Sequence, residues 1–246
     1  MKSRYLLGIC ALLFSGFVHA TELTAVTEML PPLNYEEQGV VTGYSTELLQ
    51  AVLQTAGLSA PISILPWARA YQTAQTQPNT IIYSIVRTAE REPLFDWIGP
   101  ISKRQIFLFK LRARKDVEVS TLSDARKYRI GAVREMAATQ QLIKQGFNPE
   151  ESLDLAPTDE SNVKKLFLNR VDLIVALDWS AYFLAKQNGH SVTELEPVLL
   201  LDNSHAYYFG LNKQSDAALT GKLNQAFEQV RASGQMDKLK SKYVRD

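Results

Sequence analysis

Apolar and polar positions along this chain follow two alternating periods. Short apolar runs read as buried strands. Each is followed by a segment whose apolar residues recur every three or four positions, as on one face of a helix. Glu22–Glu28 reads as a strand. Ser45–Ala56 reads as a helix, with Leu48, Leu49, Val52, Leu53 and Ala56 on one face and Gly57 as its stop. Pro61–Leu65 is a second strand, Trp67–Thr76 a helix bracketed by Pro66 and Pro78, and Asn79–Val86 a third strand. This βαβαβ order predicts a parallel sheet covered by helices. The pattern then recurs. Tyr128–Val133, Leu153–Ala156 and Val171–Ala176 read as strands. Ala137–Gln145, Asp159–Leu168 and Trp179–Gln187 read as helices, the first ended by Gly146 and the last by Asn188-Gly189. Two such units predict two α/β lobes. No repeat is visible in the residues themselves, so the likeness lies in the pattern alone.

Two extended segments, Ser102–Ala113 and Asp202–Asn212, lead out of the two units. After them come two helical stretches, Ser215–Ala232 and Gly234–Tyr243. Two crossings return the C-terminal helices to the first lobe. No Gly/Ser-rich linker interrupts them, so they read as paired hinge strands and not as a flexible tether. The expected division is residues 21–108 with 204–246 in lobe 1, and 109–203 in lobe 2.

The first twenty residues stand outside this scheme. Lys2 and Arg4 precede an apolar run, Tyr5–Val18, and Val18-His19-Ala20 ends it with a cleavage-like pattern. This reads as a secretory signal peptide, too short to span a membrane comfortably. Cys10 does not read as a lipidation site, because Ile9 stands where a small residue is wanted. Removing residues 1–20 removes the only cysteine and moves the formal net charge from +1 to −1. The exported product then has neither disulfide nor thiol chemistry. It carries no basic excess pointing to nucleic acid or anionic lipid. His190 and His205 show no His-x-x-His spacing, and no Gly-rich phosphate loop or serine elbow is present. No metal or cofactor is therefore expected.

The densest candidate chemistry lies between Tyr83 and Pro100. A strand ends at Val86, and a loop with Arg87, Glu90, Arg91 and Glu92 follows. It closes on Phe95-Asp96-Trp97-Ile98 before Gly99-Pro100. Ligands of open α/β sheets sit beyond the carboxyl ends of the strands. A guanidinium there can grip a carboxylate through parallel hydrogen bonds.

Several short motifs, in order and at the right spacing, resemble the family 3 periplasmic solute-binding proteins, the receptors of amino-acid-type ABC importers. Pro31-Pro32-Leu33-Asn34-Tyr35, followed by Gly43-Tyr44-Ser45-Thr46-Glu47-Leu48-Leu49, is similar to the family's opening. Thr88-Ala89-Glu90-Arg91-Glu92 with Phe95, Trp97 and Pro100 is similar to its central motif. Asn169-Arg170-Val171-Asp172, and Gly234-Gln235-Met236 with Lys242-Tyr243, resemble the later ones. The resemblance runs from about Leu23 to Tyr243. It implies a two-lobed periplasmic-binding-protein fold (type II). Each lobe is a βαβ-type sheet covered by helices, and two hinge strands join them. The lobes close on a small solute, a mode of hinge closure known for periplasmic binding proteins.

The same resemblance assigns roles. Arg91 falls where the family's carboxylate-binding arginine stands, and Arg87 either lines the cleft or points to solvent. Tyr83 and Ser84, at the end of their strand, are placed to offer hydroxyls or carbonyls, although alternation sends one of them to the core. Trp67 is placed to form an aromatic wall, Arg69 to add a second cation and Tyr35 to act as a lid, with Leu30 giving only apolar contact. In the second lobe, Glu135 replaces the family's usual glycine, and Arg134 either supplies the missing donors or is solvated. The acid that meets a ligand's amino group is replaced by Leu177. Asp178, next to it, either takes over or caps the helix from Trp179, with capping favoured. If it caps, a mono- or dicarboxylate or a masked amine becomes the expected solute.

The expected function is capture of a small carboxylate-containing solute, an amino acid or related organic acid, in the periplasm. The receptor is expected to act as a monomer and to meet an ABC permease or a membrane sensor. Enzymes on the same scaffold, such as cyclohexadienyl dehydratases, use a cleft carboxylate as general acid. Here only Asp178 or Glu135 would serve.

Overall fold

The computed structural model describes residues 23–134, 136–149 and 151–243. The signal-peptide reading of residues 1–20 and the role weighed for Glu135 lie outside them. In the first half, strands β1 (Thr24–Thr27), β4 (Ile62–Ile64) and β5 (Thr80–Val86) alternate with helices α1 (Tyr44–Thr55) and α2 (Trp67–Thr76). A hairpin of β2 (Tyr35–Glu37) and β3 (Val40–Thr42) precedes α1. In the second half, β7 (Ile130–Val133), β8 (Leu153–Ala156) and β9 (Leu173–Leu177) alternate with α3 (Ala137–Lys144), α4 (Asp159–Phe167) and α5 (Asp178–Gln187). Two long strands, β6 (Phe95–Leu111) and β10 (Leu195–Asn212), join the halves. Helices α6 (Ala217–Ala232) and α7 (Gln235–Tyr243) follow β10.

All but the hairpin strands form one sheet in the order β4-β1-β5-β10-β6-β9-β7-β8. β1 runs parallel to β4 and β5, and β7 runs parallel to β8 and β9. β10 and β6 are antiparallel to each other, to β5 on one side and to β9 on the other. The fold is thus a two-lobed α/β architecture with a double strand through its waist.

The burial pattern explains the parallel ends. Residues Thr80 to Ile85 of β5 and all five residues of β9 are buried. Such unbroken runs suit strands covered on both faces. On α2 only Ala70 and Ala74 are buried, one helical turn apart, so small side chains let the helix lie close to its sheet. Thr158 caps α4 by accepting the Ser161 N–H at 3.2 Å, and Asp216 caps α6 by accepting from Ala218 at 2.9 Å.

The hinge strands are longer than the sequence pattern indicated. Their pairing runs from Leu195 opposite Leu111 to Asn212 opposite Phe95, with register shifts along the way. The aromatic run Phe95–Ile98 therefore belongs to β6. The C-terminal helices return to α1. Lys242 Nζ and Tyr243 Oη both donate to Glu47 Oε1 at 2.5 Å, and this cluster holds the Glu47 carboxyl below its ordinary range. Among the described residues no helix is long and apolar enough to cross a membrane.

Candidate ligand cleft

The carboxyl ends of the parallel strands in both halves face one another. β1 leads to Glu28, Leu30 and Pro31, and β5 leads to Arg87 and Arg91. From the other half, β7 ends at Val133, β8 leads to Asp159 and β9 ends at Leu177. The halves touch. Ser180 Oγ donates to the Pro31 carbonyl at 2.6 Å. The Tyr44 ring meets Trp179 at 4.9 Å, and Tyr35 meets Phe183 at 5.2 Å. Between them lies a cavity of about 30 Å³, lined by Leu30, Arg104, Thr139, Asp159, Leu177 and Tyr207 among others. That is room for a water or two, so an amino-acid-sized solute requires the halves to part. A larger groove of about 730 Å³ opens beside the hinge. Tyr44, Lys103, Arg112, Asp178, Trp179 and Lys240 are among its walls. The small cavity is the better candidate, because strand ends of both halves converge on it.

Arg91 and Arg87 have different surroundings. Arg87 is exposed and gives both Nε and Nη2 to the Glu92 carboxylate, at 2.7 and 2.6 Å. Its guanidinium also lies near the Trp97 and Tyr208 rings. Arg91 is half-buried. Its guanidinium lies 5.2 Å from the Trp67 ring and 5.1 Å from Tyr71, and these rings stack on each other. Nη1 donates to the Val86 carbonyl at 3.1 Å. Among the described residues no carboxylate forms an ion pair with Arg91. A guanidinium has five N–H donors, so most of its fork remains available. Trp67 thus stands as a wall behind Arg91. Arg69, two residues on, is exposed.

Tyr83 requires a correction. Its side chain is 1% exposed in the first-half core, with Oη bonded to Thr46 Oγ1 at 3.0 Å and the ring against Phe209. Only its carbonyl faces a neighbouring strand end, accepting from Thr27 Oγ1 at 3.0 Å. Alternation along β5 sends this residue inward. Ser84 is the residue left out where the β5–β10 pairing slips, since Ile85 pairs with Tyr208 but Tyr83 with Phe209. It has a left-handed φ of 57°. A bulge of this kind re-aims a side chain. Ser84 Oγ is buried with no hydrogen-bond partner among the described residues.

The remaining predicted residues lie elsewhere. The Tyr35 ring is buried against Phe183, and its hydroxyl pKa is pushed up to about 12, chiefly by burial. Arg134 is exposed, and its backbone N–H bonds the Ala156 carbonyl at 3.0 Å. Asp178 does not act as the N-cap of α5. Leu177 holds that position with no side-chain bond, and Asp178 accepts from the adjacent Trp179 N–H at 2.8 Å. Its carboxyl lines the larger groove, and burial raises its pKa to about 6 against the pull of Lys240.

The sequence pattern did not single out Arg104, Asp159 and Tyr207, which line the small cavity, or Glu28, just past the end of β1. Arg104 is ion-paired with Asp202 across the hinge strands. The Tyr207 hydroxyl lies within the influence of Arg104, Glu28 and Asp159, and burial drives its pKa up to about 12. Burial also raises the Glu28 carboxyl to about 7, with Arg91 pulling it down, and the Asp159 carboxyl to about 6. Glu28 and Asp159 were open to the same argument that singled out Arg91, since each follows the carboxyl end of a parallel strand. Arg104 and Tyr207 gave no such signal, because they lie inside long extended segments.

The chain matches the model of the bacterial extracellular solute-binding proteins, family 3, over residues 23–246, and it belongs to that family. It is a solute-binding protein. Over 217 residues it is 22% identical to a Bacillus subtilis (strain 168) protein named "Probable amino-acid-binding protein YxeM", covering 87% of this chain and 80% of that one. Its fold is similar to an ancestral cationic amino acid solute-binding protein, with a TM-score of 0.77 and 18% identity over 91% of this chain and 96% of that chain. It is also similar to a histidine kinase sensor domain, with a TM-score of 0.73 and 19% identity over 92% and 96%.

Closure in this family makes the contact between Ser180 and Pro31 testable. Ser180→Ala removes one cross-lobe hydrogen bond and is expected to weaken the closed form by about 1 kcal/mol. Solute affinity should fall about fivefold by calorimetry. Unchanged affinity would show that this contact does not hold the lobes together.

Proposed function

We propose that the chain captures a small carboxylate-containing solute, an amino acid or related organic acid, between its two lobes in the periplasm and delivers it to an ABC importer. The observation that carries this reading is Arg91. It is backed by two stacked rings at a strand's carboxyl end, with most of its donors unused. The amino-acid-binding name of the Bacillus relative supports the solute class. Residues 21–108 with 204–246 form lobe 1 in this reading, and 109–203 form lobe 2. Residues 1–20 direct export and are removed. Opening along β6 and β10 admits the solute, and closure buries it for presentation to a membrane partner. Binding without turnover is favoured, because Asp178 faces Lys240 in the larger groove and does not stand with Arg91.

A thermal-shift panel of amino acids, dicarboxylates and small peptides tests the proposal. A true solute at about a hundred times its Kd should add about 2.7 kcal/mol of stability. If no carboxylate in the panel raises the melting temperature, the proposal fails.

A further inference from the structure

We propose that the groove beside the hinge is a second ligand site, separate from the solute cleft, and that it takes a small aromatic anion. The groove measures about 730 Å³, within the range of small-molecule sites. It shares no lining residue with the small cavity. The hinge strand β6 separates the two. Ile101, Lys103 and Gln105 line the groove, whereas Arg104 and Ile106 line the cavity. Successive side chains of a strand point to opposite faces, so the two sites occupy opposite faces of β6. The remaining walls of the groove are α5 from the second half, α1 and α7 from the first, and the segment Val192–Leu195 that leads into β10. A ligand there touches both halves without meeting the strand ends or Arg91.

The floor of the groove is aromatic and held in place. Tyr44 is buried, and its Oη donates to the Ile101 carbonyl at 2.7 Å. Trp179 lies edge-on to it at 4.9 Å. Tyr182, one helical turn along α5, is half-buried and packs edge-on against Phe109 at 5.5 Å. Met236 of α7 joins them from the opposite wall, and a thioether makes favourable contacts with aromatic rings. Rings fixed in this way lose little freedom when a flat ligand packs on them.

The rim is charged and unbalanced. Lys103, Arg112 and Lys240 are exposed around it, against the acids Asp178 and Asp237. Among the described residues Lys103 and Lys240 have no ion pair and no side-chain hydrogen bond. Arg112 gives Nε to the Thr193 carbonyl at 2.8 Å and stands 3.9 Å from Glu196, so part of its fork is spare. Asp178 is set deeper and already accepts the Trp179 N–H at 2.8 Å. Three cations thus face two acids, and one bound anion completes the balance. A ring on the floor with an acid group at the rim meets both demands.

Calorimetry with naphthalene-2-sulfonate on the purified chain tests the proposal, because this probe stays ionised at every working pH. Its Kd is expected at about 1 mM or tighter, the scale set by its size. The cationic counterpart 2-naphthylmethylamine should bind at least about tenfold more weakly. Lys103→Glu and Lys240→Glu, both on the exposed rim, should each weaken the sulfonate about fivefold or more with the melting transition retained. Asp178→Asn should tighten it, since it removes a repelling charge. The sulfonate should bind equally well to Arg91→Ala. Loss of binding in Arg91→Ala, with both lysine reversals silent, would place the probe in the solute cleft and overturn the second site. Tighter binding of the amine would overturn the anion class. No binding of the sulfonate at about 1 mM would overturn the proposal and leave the carboxylate reading of Arg91 intact.

Discussion

Arg91→Ala is expected to weaken solute binding by roughly 10- to 150-fold, the equivalent of about 1.5–3 kcal/mol for a charge-assisted hydrogen-bonded contact. Substituting Arg91 removes a fork that the protein itself leaves largely unused. Among the described residues only Val86 receives a bond from it, and the stacked rings of Trp67 and Tyr71 lie against it. Arg91→Lys should recover part of the loss. It restores a point charge but not the planar, bidentate geometry or the ring stacking. Arg87→Ala is the internal control, because that guanidinium is already bonded to Glu92 at 2.6 and 2.7 Å. Calorimetry with the best carboxylate from the thermal-shift panel reads all three. Full affinity in Arg91→Ala would mean that the carboxylate sits elsewhere.

The second large effect falls on stability. Gly43 precedes α1 with φ 112° and ψ 164°, a backbone region reached almost only by glycine. The chain there runs directly against the loop after β1. Tyr44 N donates to the Pro32 carbonyl at 2.9 Å, and Ser45 N donates to Leu33 at 2.7 Å. A Cβ on residue 43 would lie 2.6 Å from the Leu33 oxygen and 2.8 Å from that of Pro32. Both obstacles are backbone, so no side chain can rotate away. Gly43→Ala should therefore cost about 3 kcal/mol or more, combining conformational strain with overpacking. For a chain of this size the melting temperature should fall by roughly 6–12 °C. A shift under about 2 °C in a circular-dichroism melt would refute this account. The loop displaced by such a change carries Glu28, Leu30 and Pro31, so the surviving protein should also bind its solute more weakly.

The two-lobed architecture was legible in the chain because strand and helix periods differ so sharply. The second helix and the strand Leu153–Ala156 coincide with α2 and β8. Most other boundaries move by one or two residues. The β2–β3 hairpin escaped notice because each strand has three residues, too few to show a period. The hinge strands begin earlier than their pattern suggested, since Phe95–Ile98 read as a motif and not as a strand.

The cleft was only partly legible. Arg91 and Trp67 carry enough local context to stand out, and the structure sets the one against the other. Tyr83 was misplaced because sequence fixes the alternation of a strand but not its phase. The bulge at Ser84 breaks that alternation and depends on β10, far along the chain. Glu28 and Asp159 were missed for a related reason. Their significance comes from burial by elements distant along the chain, which neither local segment records.

The waist of the sheet also determines when this chain can finish folding. Strand β5 lies between β1 and β10, and Val86 pairs with Tyr207. A chain emerging amino end first therefore carries a bare strand edge until its last quarter appears. Pairings so distant must close a large loop before they return any stabilisation, and an unpaired edge invites association with other strands. The last long strand thus acts as an assembly checkpoint, and a chain truncated before Leu195 would retain every βαβ motif while leaving that edge open.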